Sequence, residues 1–106
     1  MITRIISSID EQSLGTDLGH KSVAAENPLP RVHVLNATDA VPVGQSEEHL
    51  VVKITNRATW KVGDVWYGVP VHICPTVALY DSAVIVENNK VIDNWKVIAR
   101  SRKISV

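Results

Sequence analysis

The sequence predicts an all-β fold, mainly antiparallel: a small β-barrel-like domain with a long irregular loop and at most one or two short helical turns. Valine and isoleucine supply 27 of the 106 residues and threonine another 6, against 6 leucines and no phenylalanine. Such β-branched side chains are stiff at χ1 and pack well on a pleated surface. Short apolar runs also recur between Gly, Pro, Asn and Asp, as in proteins made of short strands. The length suits a single domain that covers residues 1–106.

The first predicted strand covers residues 2–9, and a long loop follows it. The strand is rich in isoleucine and ends at an acidic, polar segment that begins at Asp10. Farther along, Gly19 lies among polar residues, and Pro28 and Pro30 prevent a regular helix. We therefore expect an ordered loop with one short turn.

Three strands are predicted in the middle of the chain. Residues 31–36 alternate polar and apolar, which is typical of a strand with one buried face, and residues 36–44 interrupt the pattern. A longer strand is predicted at residues 48–55 and a dense apolar one at residues 65–73. Because Pro70 has no N–H to donate, the last strand should lie at a sheet edge or carry a bulge there.

The C-terminal third is predicted to hold one helical turn and a hairpin. Residues 75–80 can begin a helical turn because proline suits the first helical position. Residues 83–87 and 90–100 read as two strands, and Asn88-Asn89 between them can supply the positive φ values of a tight turn. The whole chain then contains about six to eight strands of ordinary length.

Three tryptophans, Trp60, Trp66 and Trp95, must supply much of the bulky core, because the chain has no phenylalanine. The alternative is that one or two of them lie on a partner surface, where aromatic residues often anchor an interface. They are too dispersed along the chain to form a stacking platform for nucleic-acid bases.

Charge and composition exclude several classes of function. Eleven basic residues balance 11 acidic ones, which argues against a nucleic-acid module, since such a module needs a basic surface. The longest apolar runs are about five residues, against roughly 20 for a membrane span. Cys74 is the only cysteine, so an intramolecular disulfide is excluded. We expect a soluble cytoplasmic protein.

The strongest chemical signal is the pair His72 and Cys74. In an extended chain these two side chains project to the same side about 7 Å apart, a span that one zinc ion can bridge. Two protein ligands would leave coordination positions open for water or substrate, as in catalytic sites. The alternative is ordinary: a free cysteine is usually a small buried hydrophobe, and one such pair is a weak motif.

Two further polar clusters are candidates for function. In Glu47-Glu48-His49, the histidine could be a ligand or a proton carrier tuned by the glutamates, although a solvated strand start is the usual explanation. His20 and Lys21 follow a glycine in the loop, where they could bind an anion or supply a catalytic lysine. Lys21 has no apolar surroundings in sequence that would depress its pKa and activate it.

Several segments, in order and spacing, resemble the C-terminal domain of the D-threonine aldolase and D-serine dehydratase family. The resemblance covers nearly all of the chain. The segments are DLGHKS at 17–22, GQSEEH at 44–49, VGD at 62–64, PVHICPTV at 70–77, Tyr80-Asp81 and residues 91–100.

This resemblance implies metal-assisted lyase chemistry on D-hydroxy-amino acids. Family members are pyridoxal-phosphate enzymes of the alanine-racemase fold type: an N-terminal α/β barrel holds the cofactor on a lysine, and the C-terminal β domain completes the site. His72 and Cys74 match the family's metal-binding pair, so the resemblance implies a divalent metal there, zinc first and manganese as the alternative. His49 would support the metal ligands without binding the metal itself, or would contact the substrate. Aldolase and dehydratase outcomes both stay open.

The N-terminal barrel of that family is missing from these 106 residues. Pyridoxal phosphate is therefore expected only through that missing domain, and the chain alone is expected to be inactive. Its expected partners are a barrel domain or subunit and, by self-association, a second copy of itself. A different class of function is a non-catalytic β-barrel binding or assembly module that retains the fold.

Overall fold

A computed structural model describes residues 1–105, which form eight strands and one short helix. The helix α1 (Ile73–Val77) is accompanied by two 3-10 turns, at Arg57–Thr59 and Ile98–Arg100. The all-β prediction is confirmed. The strands are β1 (Ile2–Ser8), β2 (Ser13–Thr16), β3 (Val32–Val34), β4 (Val41–Gln45), β5 (Leu50–Lys53), β6 (Val65–Pro70), β7 (Ser82–Glu87) and β8 (Lys90–Lys96).

Six of the strands form one sheet in the order β3-β6-β1-β2-β5-β4, shaped as a half-barrel. Every neighbouring pair in this sheet is antiparallel, as predicted. The pairing of β1 with β2 shifts register between Ile5 and Ser7, and that of β4 with β5 shifts between Pro42 and Gly44. Bulges of this kind bend the sheet and increase its twist.

The core combines sheet residues with residues of the long loop. Ile5, Leu14 and Trp66 from the strands are fully buried, and so are Leu18 and Val23 from the loop between β2 and β3. The loop is therefore an integral part of the core, since burying its apolar side chains removes them from water. No helix within residues 1–105 is long and apolar enough to span a membrane.

The tryptophans divide between core and surface. Trp66 is fully buried and meets the partly buried Trp60 edge-on, with ring centroids 5.4 Å apart and planes at 85°. The core prediction is confirmed for this pair, whose geometry is one that aromatic rings favour. Trp95 instead lies on the surface and is 62% exposed.

Several local predictions were wrong. β2 and β4 were not anticipated, and the strand predicted at residues 65–73 ends at Pro70. β6 has neither the predicted edge position nor the predicted bulge, because it lies between β1 and β3 and pairs with β3 in unbroken register as far as Pro70. Pro70 is tolerated as the last residue of β6, since the pairing with β1 extends only to Tyr67. The helix begins at Ile73, two residues before the predicted start.

Strands β7 and β8 form a separate antiparallel hairpin. The predicted turn is confirmed: Asn88 and Asn89 have φ values of 50° and 60°. The radius of gyration is 15.3 Å. A compact domain of about 100 residues has a radius of about 13 Å. All of β8 is exposed, including Val91 at 70% and Trp95 at 62%. A two-stranded hairpin is marginally stable alone, so this apolar arm is suited to contact with another surface.

We predict that the chain self-associates through this hairpin as concentration rises. Val86 and Val91 lie directly opposite each other and are 60% and 70% exposed. The double substitution Val86→Lys, Val91→Glu removes their apolar contact but keeps an attractive cross-strand pair. Sedimentation velocity over a concentration series should show a rising mass for the wild type and a constant monomer for the variant.

The control for this experiment is Val62→Lys, which changes a residue 56% exposed in the loop before β6. It should self-associate like the wild type. A wild-type chain that stays monomeric at its solubility limit, or an equal loss of association in the control, would contradict the hairpin's role.

Candidate functional site

The predicted ligands His72 and Cys74 lie at the start of α1. His72 is the residue before the helix, with extended backbone angles of φ −124° and ψ 104°. Cys74 is the second helical residue, and it is exposed. The expectation of an extended chain through both residues, with the two side chains on the same side, was wrong, because the backbone turns into the helix after His72. Their joint binding of a metal stays a prediction.

The hydroxyl of Thr76 ties α1 to the long loop. Its Oγ1 donates a hydrogen bond to the His72 carbonyl oxygen at 2.7 Å and accepts one from the Ala24 backbone N–H at 3.0 Å. Thr76 is only 4% exposed, so both bonds are shielded from water. The Thr76 hydroxyl therefore links the start of α1 to the long loop through two hydrogen bonds.

A second tie follows one turn later in the chain. The Tyr80 hydroxyl donates to the Ser22 carbonyl oxygen at 2.6 Å. Burial raises the pKa of Tyr80, so this hydroxyl keeps its proton and remains a donor at neutral pH. The long loop is thus hydrogen-bonded to Thr76 within α1 and to Tyr80 after the end of α1.

Glu26 of the loop contacts the imidazole of His72 through Oε1 and Nδ1. Both side chains are about half exposed, 45% for Glu26 and 47% for His72. The pKa of Glu26 is lowered, chiefly by a hydrogen bond from its own backbone N–H and further by the hydrogen bond with His72. The Nε2 atom of the imidazole takes no part in this contact.

Arg31 joins the end of the same loop to strand β4. Its Nε donates to the Asn27 carbonyl oxygen at 2.6 Å, and its Nη1 donates to Gln45 Oε1 at 2.7 Å. The same Nη1 lies 3.1 Å from His20 Nε2. The Gln45 amide in turn donates to the Leu18 carbonyl oxygen at 2.9 Å. One guanidinium thereby fixes three separate parts of the loop and strand.

The loop also makes a close backbone contact with the β4–β5 turn. His20 N–H donates to Ser46 O at 2.9 Å, and Lys21 N–H donates to Glu47 O at 3.1 Å. A Cβ atom at Gly19 would lie under 3.0 Å from the backbone of Glu47. Glycine is therefore needed at residue 19 for the close approach and not for an unusual backbone conformation, because its φ lies outside the left-handed region.

Two glutamates of the β4–β5 turn face the long loop and not His49. Glu48 forms an ion pair with the Lys21 ammonium, and this hydrogen bond raises the pKa of Lys21. Glu47 Oε1 lies 3.8 Å from His20 Nδ1. The idea that these glutamates tune His49 was therefore wrong. His49 is exposed, and its carbonyl oxygen closes the turn.

Glu26 and Arg31 are the site residues that the sequence did not reveal. They are ordinary charged residues on either side of Pro28 and Pro30, and neither belongs to a spaced motif. The contact of Glu26 with His72 spans 46 positions. Both predicted ligands lie in the segment 70–77, and their role stays a prediction.

The donor chemistry at α1 fits a soft divalent metal with open coordination positions. An exposed imidazole and an exposed thiol are the ligand types that zinc takes in proteins. Within residues 1–105, no group of three or more His, Cys, Asp or Glu side chains converges to hold a metal. The remaining ligands would therefore have to be water, substrate or another protein segment.

Comparison with known proteins identifies relatives of this domain. The family described as "Putative serine dehydratase domain" matches residues 1–86, a range that includes His49, His72 and Cys74. No curated protein matches the chain.

Two solved structures share the fold. A D-threonine aldolase from Filomicrobium marinum superposes with a TM-score of 0.82 at 20% identity, over 93% of this chain and 27% of that protein. An Ala racemase-like protein from Idiomarina loihiensis gives a TM-score of 0.73 at 18% identity, over 92% of this chain and 30% of that protein. The chain therefore spans less than a third of either relative.

We predict that Gly19→Ala destabilises the domain, whereas Gly44→Ala does not. The new methyl group at residue 19 meets the backbone of Glu47, and such overpacking costs about 1–3 kcal/mol. At Gly44 nothing lies within 4 Å of the new Cβ atom. Alanine there should change the free energy of unfolding by about 0.5 kcal/mol or less. Urea unfolding followed by tryptophan fluorescence measures both, and equal effects would refute the close approach.

Proposed function

The chain belongs to the serine dehydratase domain family, and from this we propose that it is a C-terminal β domain of a pyridoxal-phosphate-dependent D-amino-acid lyase. The lyase would be of the D-threonine aldolase or D-serine dehydratase type, acting on a D-hydroxy-amino acid. The observation that carries the proposal is the imidazole and thiol pair at the start of α1, inside the family's matched range.

His72 and Cys74 would hold a divalent metal in this proposal. The Nε2 atom of His72 is available, and the Cys74 side chain reaches solvent from the first turn of α1. A thiolate ligand favours zinc over manganese, which prefers carboxylate, carbonyl and water oxygens. When bound, such a metal supplies Lewis-acid polarisation of the substrate β-hydroxyl. His49 is a proposed substrate contact from the β4–β5 turn.

The residues of this chain would position that site. Thr76 fixes the backbone of His72 against Ala24, and Arg31 holds the end of the same loop on β4. Together these bonds fix the backbone from which the imidazole projects and the loop that faces it. A fixed orientation favours metal binding, because a mobile side chain loses conformational entropy when it binds.

The pyridoxal cofactor would come from a barrel domain or subunit. The one lysine of the loop segment DLGHKS, Lys21, is ion-paired with Glu48, which raises its pKa and keeps it protonated. A protonated ammonium cannot attack an aldehyde, since the neutral amine is the nucleophile. The chain also covers under a third of each solved relative, so most of the proposed enzyme lies outside it.

A second candidate function is a binding or assembly module that retains the fold without the chemistry. The β7–β8 hairpin favours it, because Val84, Val86 and Trp95 expose apolar surface that no other strand within residues 1–105 covers. The two functions make different predictions for metal, which the lyase domain needs and the assembly module does not.

We predict that the chain binds zinc through His72 and Cys74. His72→Ala and Cys74→Ala should each abolish tight binding, because a site with so few protein ligands cannot lose one. Isothermal titration with zinc measures affinity. Cobalt substitution should add a thiolate-to-metal absorption band that disappears in Cys74→Ala.

His33→Ala is the control for zinc binding, because His33 is an exposed histidine on β3 at some distance in sequence from both ligands. It should bind zinc like the wild type. Equal zinc binding by the wild type and by a His72→Ala, Cys74→Ala double variant would exclude this metal site and favour the assembly module.

We also predict that pyridoxal phosphate does not react preferentially with Lys21 of the 106-residue chain. The ion pair with Glu48 raises the pKa of this ammonium and so lowers its neutral, reactive fraction, and any absorbance band reducible by borohydride should not arise mainly from that lysine. Mass spectrometry after reduction locates any adduct. Glu48→Gln releases the amine and should raise labelling at residue 21, whereas preferential labelling of Lys21 in the wild type would contradict the prediction.

A further inference from the structure

We propose that Glu26 is a positioning residue for His72: its carboxylate accepts the Nδ1 hydrogen of the imidazole and directs Nε2 toward the metal. This inference rests on the proposed metal-binding function. It assigns a role to a residue of the long loop that belongs to none of the segments by which the family resemblance was identified.

Glu26 is held in place from both sides along the chain. Two positions before it, the Ala24 N–H donates to the buried Thr76 Oγ1 at 3.0 Å. One position after it, the Asn27 carbonyl oxygen accepts from Arg31 Nε at 2.6 Å. The carboxylate is thus presented to His72 from a backbone with two anchors, which limits how far it can move.

The other partner in the contact is anchored by the same threonine. Thr76 Oγ1 donates to the His72 carbonyl oxygen at 2.7 Å while it accepts from Ala24. One buried hydroxyl therefore connects the backbone of the histidine with the backbone that carries the glutamate. This shared anchor distinguishes the contact from an ion pair between two freely moving surface side chains.

The chemistry of imidazole explains what the contact would do. A neutral imidazole carries one proton, and a carboxylate beside Nδ1 selects the tautomer with the proton on Nδ1 and the lone pair on Nε2. Carboxylates placed behind metal-bound histidines fix the ring and make the ligating nitrogen more basic. An ion pair this exposed contributes little to folding, so its effect should appear in metal affinity.

The test compares zinc affinities of matched glutamate variants. Glu26→Ala should weaken zinc binding about 10- to 100-fold, the range typical of such partners, in competition with a chromophoric chelator. Glu26→Gln keeps an acceptor oxygen and should recover part of the loss. Glu47→Ala is the control, since Glu47 faces His20 at 3.8 Å in another part of the loop. Circular dichroism checks that each variant is folded.

A second readout does not need metal. Nitrogen NMR of the imidazoles at a pH where they are neutral should show the Nδ1–H tautomer for His72 in the wild type and a shift away from it in Glu26→Ala. If the wild type binds no zinc, the proposed function fails and this inference fails with it. If it binds zinc through His72 but Glu26→Ala and Glu47→Ala bind alike, only the positioning role of Glu26 is overturned.

Discussion

The long loop between β2 and β3 packs against the β4–β5 turn and against α1, and the candidate site depends on this packing. At one end Gly19 permits a backbone contact with Glu47 that a side chain would block. In the middle of the loop the Thr76 hydroxyl joins Ala24 to His72. Leu18 and Val23, 1% and 0% exposed, each lie next to one of these contacts in the chain and fill the core. A segment with little regular structure is thereby held by core packing and by hydrogen bonds to two neighbouring elements.

Strands with one buried face were predictable from the sequence, and β2 was not. The alternation at residues 31–36 and 48–55 identified β3 and β5, because a period of two is what one buried face produces. All four residues of β2, Ser13–Thr16, are buried. Only one of them is a large apolar residue, so their burial follows from pairing with β1 and β5 and leaves no periodic signal.

The site region was predictable, whereas its geometry was not. The histidine and cysteine pair indicates residues 70–77, but the sequence predicts Pro75 as the first helical residue, whereas it is the third. Proline is compatible with either position, since N–H groups in the first turn have no partner within the helix. No pattern in the sequence indicates a role for Glu26, because its contact with His72 spans 46 positions and depends on how the loop folds.

The candidate ligands stand where the buried core ends and an exposed segment begins. Within residues 71–105, Thr76 is the only buried residue, although this segment includes Val84, Val86 and Trp95. Removing such apolar surface from water is favourable by about 25 cal/mol per Å². In the proposed enzyme, the exposed ligands His72 and Cys74 would be covered by the barrel domain. Excluding water there would strengthen the interactions of a metal held by these two residues, because charges attract more strongly at low dielectric.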